Sequence, residues 1–123
     1  MPSSRTKTIL SWALAALLAA GYAMAALGKL TGAATEMFAG WGYAPWFATL
    51  VGVLELSGAV GLLIPKLTRL AILGLGGIMI GATYTHLANG EGLQVLRPMI
   101  FAALLLTLWW SRARATTESE SAA

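Results

Sequence analysis

Glu55 sits at the midpoint of an apolar stretch from Trp46 to Ile64, where a carboxyl can hold or pass a proton with little water nearby. An ionised carboxylate at bilayer depth costs roughly 2.5–3.5 kcal/mol even on lenient insertion scales, so it is seldom kept without a partner or a task. His86 stands near the end of a second apolar stretch and Lys29 near the end of a third, with Tyr22, Thr83 and Arg97 as further polar groups. A carboxyl and an imidazole inside one apolar bundle form an acid–base pair able to hydrogen-bond carbonyl or hydroxyl groups and to pass protons. Each has a plainer role. Glu55 can be a packing ion pair or a protonated, hydrogen-bonded carboxyl, and His86 an interfacial hydrogen-bonding residue. Lys29 and Arg97 can be anchors whose stems lie on apolar surface with their heads in water. Met24, Met79 and Met99 read as packing residues rather than a metal relay.

Much chemistry is excluded outright. The chain has no cysteine and one histidine, which rules out disulfides, thiolate chemistry and iron–sulfur ligation, and bis-histidine haem or a multi-histidine metal site within one subunit. No metal site and no certain cofactor are expected.

The elements that must position these residues follow from composition. Of 123 residues, 58% are hydrophobic and 11% charged. A soluble domain carries about twice that charged fraction, so lipid is the solvent for much of this surface. The net charge of +3 does not point to nucleic acid, because the basic residues bracket apolar segments instead of forming a patch.

Four segments have the length and character of spanning helices, for which about 20 apolar residues are needed. They cover about 9–29, 46–64, 67–87 and 98–112. Pro45 and Pro98 stand at helix entries, where a missing N–H is tolerated; Pro65 closes the second segment, and Asn89-Gly90-Glu91-Gly92 marks a turn. Short connections predict an all-α, antiparallel four-helix transmembrane bundle. Four crossings place both termini on one side, with Arg5, Lys7, Lys66, Arg69, Arg112 and Arg114, against Lys29 and Arg97 on the other. That excess marks the cytoplasmic face of a bacterial-type inner membrane. Trp12, Trp109 and Trp110 fall at the inner interface, and Trp41, Tyr43 and Trp46 at the outer one. Residues 1–8 and 113–123 are expected outside the membrane, the latter as a disordered tail. A competing signal-peptide reading rests on Arg5, Lys7, an apolar run and Ala23-Met24-Ala25. That run exceeds most signal cores, and losing it would split the termini between two sides, so four spans are preferred.

Turning each helix at 100° per residue places Glu55 with Ala48, Gly52, Gly58 and Ala59. Small residues let helices approach closely in lipid, so Glu55 should face the bundle interior. Lys29 lines up with Tyr22, Ala25, Leu18 and Ala15. On the third span His86 lies with Thr83, Ala82, Met79 and Leu75, opposite Gly74, Gly77, Gly81 and Tyr84. The preferred arrangement turns His86 inward and makes the glycine ridge a homodimer seam. An outward-opening polar cleft lined by Tyr22, Lys29, Glu55, Thr83, His86 and Arg97 follows.

The stretch AGYAMAALGKL from Ala20 to Leu30, then Gly42-Tyr43-Ala44-Pro45, GVLELSGAVGLLIP from Gly52 to Pro65, and GATYTHLANG from Gly81 to Gly90 appear in a set order. In that order and spacing the chain resembles the DoxX/DoxD-like family of small four-helix membrane proteins, over most of its length. The resemblance implies an inner-membrane protein, with Lys29, Glu55 and His86 at the family's recurring polar positions. It also implies kinship with subunits of quinone-linked sulfur oxidoreductases and with membrane partners of redox or detoxification proteins. Without cysteine this chain could not carry a persulfide. No phosphate-binding loop, zinc box or nucleophile elbow occurs, so the isolated chain is not expected to be an enzyme. The leading expectation is a membrane subunit or scaffold with a soluble or membrane redox partner, binding a quinone or similar apolar ligand. The alternatives are a non-catalytic interaction module and a proton-coupled small exporter. The exporter ranks last, because small multidrug exporters place their carboxylate on the first helix and keep a weak basic bias.

Overall fold

The computed structural model describes the backbone of residues 3–122 and the side chains of residues 3–112. It contains α1 (Ser4–Leu30), the short α2 (Thr35–Gly40), α3 (Pro45–Leu62), α4 (Thr68–Ala88), a 3-10 turn (Gly92–Val95) and α5 (Leu96–Ala122). Side chains from residue 113 onward lie outside the described residues, while the backbone of the expected tail continues α5 as far as Ala122.

Local chemistry sets the helix ends. α1 starts at Ser4 because the Ser3 hydroxyl accepts the Thr6 N–H at 3.2 Å, covering one of the donors a helix start leaves unpaired. Pro45 opens α3, as expected. After α3, the Ile64 N–H bonds back to the Gly61 carbonyl, and the Thr68 hydroxyl donates to the Ile64 carbonyl at 3.0 Å, tying the turn around Pro65 to the start of α4. α4 ends where Asn89 Nδ2 donates to the Thr85 carbonyl at 2.8 Å and Gly90 takes φ +72°, a conformation that costs glycine nothing. Pro98 stands in the first turn of α5, not at its first residue; an N–H there would have had no intrahelical acceptor, so the ring is tolerated.

Each long helix packs against two others: α1 against α3 and α5, and α4 against α3 and α5. Ser11 near the start of α1 meets Ser111 of α5, and Tyr22 farther along α1 meets Phe101 near the start of α5. Along α3 and α4, Gly61 faces Ala71, Gly58 faces Leu75, and Tyr43 reaches Thr85. Ala15, Leu18, Ala59, Leu62, Ile72, Leu75, Leu105 and Leu108 fill the half of the bundle near the termini and the α3–α4 turn. Arg69 lies over the Trp109 ring at 5.3 Å, and Arg112 over Trp12 at 4.7 Å, at that same end.

The outside of the bundle is greasy. Leu17, Met24, Leu70, Ile80 and Leu106 are each largely exposed. Among the described residues, four helices are long and apolar enough to cross a membrane, and at most a third of each span is buried within the chain. Surface of that kind needs lipid to cover it. The chain is a multi-pass membrane protein.

Candidate functional site

Where the terminal half is filled, the opposite half is hollow. A cavity of about 540 Å³ lies between the helices there, within the range of small-molecule sites. Its shape follows from residue size. Gly58 and Gly61 let α3 close on Leu75 and Ala71 of α4 beside the tight turn. Beyond them Leu50, Val51 and Leu54 of α3 and Ile78 and Ala82 of α4 line the cavity instead of meeting in such a contact.

Glu55, almost fully buried, lines this cavity from α3. The Lys29 ammonium lies 2.7 Å from its Oε1. Gly52, one turn before Glu55, brings the pair together: a Cβ there would stand 3.0 Å from Lys29 Cβ and 3.1 Å from Leu30 Cγ, so any larger residue would push α1 back. Lys29 Nζ also approaches the Ala25 carbonyl at 3.4 Å. Lys29 is therefore an ion-pair partner at cavity depth, not a free anchor in the aqueous layer. Tyr22, two helical turns before Lys29, lines the same wall and packs on Phe101 with ring centroids 4.9 Å apart. Its hydroxyl is buried and has no hydrogen-bond partner among the described residues.

The far end of the cavity is closed by α2 and the residues after it. Phe38 is buried and gathers Trp41, Tyr43 and Phe47 around it at centroid distances of 5.3, 6.0 and 6.1 Å. Tyr43 and Phe47 stack at 4.8 Å. Thr85 spends its proton on the Gly81 carbonyl at 2.9 Å, so the Tyr43 hydroxyl donates to Thr85 Oγ1 at 2.7 Å. The carboxylate of Glu91 fastens the cap from above. Its Oε1 accepts from Trp41 Nε1 at 3.1 Å and from His86 Nδ1 at 2.8 Å. A carboxylate acceptor fixes the histidine proton on Nδ1. Trp41 and His86 also wall a second, shallower cavity lined by Gly90, Leu93 and Gln94.

Of the residues singled out by sequence, Tyr22, Lys29, Glu55, His86 and Arg97 line one cavity. Thr83 does not: its hydroxyl turns back to the Met79 carbonyl at 2.9 Å, and it is not among the lining residues. His86 lines the cavity but spends its Nδ1 on Glu91, while Glu55 takes Lys29, so the direct partners are not the acid–base pair expected. The two faces of α4 are not alternatives either. Gly74, Gly77 and Gly81 line the cavity together with Met79, Ala82 and His86, because the space wraps around the flank of the helix toward α3. Sequence reasoning missed the cap. Trp41 and Tyr43 read as interfacial belt residues and Glu91 as part of a turn; the local crowding of aromatics at Phe38, Trp41, Tyr43 and Phe47 was the one signal that could have revealed it.

An apolar hollow with one buried ion pair and one idle hydroxyl at its wall can hold a neutral ligand and hydrogen-bond its polar head. Comparison with curated proteins and with solved structures finds no match. A family model described as DoxX-like matches residues 13–108, most of the chain. With its apolar helices and the polar residues placed along them, the chain belongs to the DoxX-like family.

Proposed function

We propose that this protein is a membrane subunit or scaffold that binds a quinone or similar apolar ligand and works beside a redox partner. The observation that carries the proposal is the hollow half of the bundle with the Lys29–Glu55 pair in its wall. A purely structural ion pair gains nothing from an adjoining cavity, since lost packing contacts destabilise the side chains that line it. A ligand that fills the space and meets the polar groups restores those contacts. The basic residues favour a bacterial-type inner membrane with both termini in the cytoplasm and the four spans antiparallel, so that the capped end faces outward.

Quinone titration of the purified protein against Glu55→Gln tests the proposal. Tighter binding by the parent chain is expected; equal affinity, or no binding by either, removes the idea.

A further inference from the structure

We propose that the gap between α3 and α4 is the route by which an amphiphile dissolved in the bilayer reaches the cavity. Its neutral, carbonyl-bearing head would meet the Tyr22 hydroxyl and its chain would lie over the glycine face of α4. The inference deepens the ligand-binding function proposed above and rests on it for the head group.

One lip of the gap is Leu50 and Leu54 of α3, which are 43% and 48% exposed; the other is Gly74, Gly77 and Gly81 of α4, also exposed. All five line the cavity. On a helical wheel Leu50 and Leu54 share the flank of α3 that carries Gly61, whereas the three glycines lie to the side of the Ala71–Leu75 face of α4, toward lipid. A Cβ at any of the three glycines would meet nothing within 4 Å, whereas one at Gly58 would stand 2.6 Å from Leu75. α3 and α4 thus close tightly at Gly58 and Gly61, while the glycine flank of α4 beside the cavity stays open. Neither lip carries a polar side chain, so water gains nothing from the passage and an acyl or prenyl chain does.

The unpartnered hydroxyl supplies the second observation. Tyr22 is 1% exposed and lines the cavity with its proton unspent. Buried hydroxyls are normally paired, and a neutral carbonyl oxygen is an acceptor that leaves the charge balance of the Lys29–Glu55 pair undisturbed. The ammonium of Lys29 offers further N–H donors to the same oxygen.

The absence of cysteine makes the test clean. Ala82→Cys places a single thiol on the cavity wall. In phosphatidylcholine vesicles this variant is labelled either by N-dodecylmaleimide, which partitions into lipid, or by a small hydrophilic maleimide. Adding Gly77→Leu fills the lip, and so, independently, does Gly81→Leu. Either should slow labelling by the lipid-phase reagent about tenfold, the factor that an added barrier of about 1.4 kcal/mol produces. Labelling by the hydrophilic reagent stays unchanged, which also shows that the variants are folded. An unaltered N-dodecylmaleimide rate in both variants overturns the proposal, and so does a thiol that this reagent never reaches. No quinone is used, so a failure of quinone binding strikes the function proposed above and leaves the route standing.

Discussion

Lys29 and Glu55 meet at 2.7 Å across the α1–α3 interface, with the Glu55 side chain almost wholly buried and that of Lys29 about one-sixth exposed. This inequality between the partners has consequences for stability. Removing one partner of a buried pair leaves an uncompensated charge, at a cost of about 3–5 kcal/mol for a well-buried group. The more deeply buried member is the worse one to orphan. Lys29→Met should therefore destabilise the protein more than Glu55→Gln, since Lys29 retains the Ala25 carbonyl and partial access to solvent. The double variant Lys29→Met/Glu55→Leu should recover most of the loss. Thermal unfolding in detergent gives the order, and equal losses for the two single variants would argue against it.

Tyr22→Phe is predicted to act in the opposite direction. The hydroxyl is buried without a partner among the described residues, and an unsatisfied buried donor costs about 1–3 kcal/mol. Deleting it should raise the stability of the ligand-free protein by about 1 kcal/mol, at the bottom of that range. A measured loss would mean that the hydroxyl is satisfied within the chain.

Much of the fold is legible in the sequence because a bilayer permits few solutions. Four long apolar segments separated by Pro45, Pro65 and Gly90 can only be crossings of some kind, and the small residues Ala48, Gly52 and Ala59 show which way Glu55 looks. The partnerships were harder to read. Lys29 belongs with Glu55 because Gly52 draws α1 close, a fact about two helices that no single helical wheel contains. Glu91 belongs with His86 because the chain folds back after Gly90, and a carboxylate in a turn signal carries no mark of its partner. The short α2 was invisible, since its 6 residues are too few to show a period and its role lies in burying Phe38.

The glycines of α3 and α4 divide into two kinds, and alanine substitution should separate them. At Gly58 a Cβ would lie 2.6 Å from Leu75, and at Gly61 3.0 Å from Ala71. Overfilling a packed contact costs about 1–3 kcal/mol, so Gly58→Ala should destabilise. At Gly77 nothing stands within 4 Å, and replacing a mid-helix glycine by alanine gains up to about 1 kcal/mol. Unfolding midpoints moving the same way for both would contradict that division.

Glu91→Ala should loosen the cap. It removes the shared acceptor of Trp41 Nε1 and His86 Nδ1, and hydrogen bonds to a charged group contribute about 1.5–3 kcal/mol. Amide exchange across α2 and the residues after it should rise by at least about tenfold, the factor that corresponds to 1.4 kcal/mol. Exchange in the α3–α4 turn should not change. A uniform rise through the whole bundle would show that Glu91 supports the fold at large.

The most direct measurement of the central claim, that the hollow half of the bundle seats a carbonyl head against Tyr22 beside the Lys29–Glu55 pair, is infrared difference spectroscopy of bound quinone. A hydrogen bond from the tyrosine hydroxyl weakens the carbonyl, so its stretch should fall to lower frequency on binding to the parent protein and stay near its free value in Tyr22→Phe. A bound quinone whose carbonyl stretch is the same in the parent protein and in Tyr22→Phe contradicts the account.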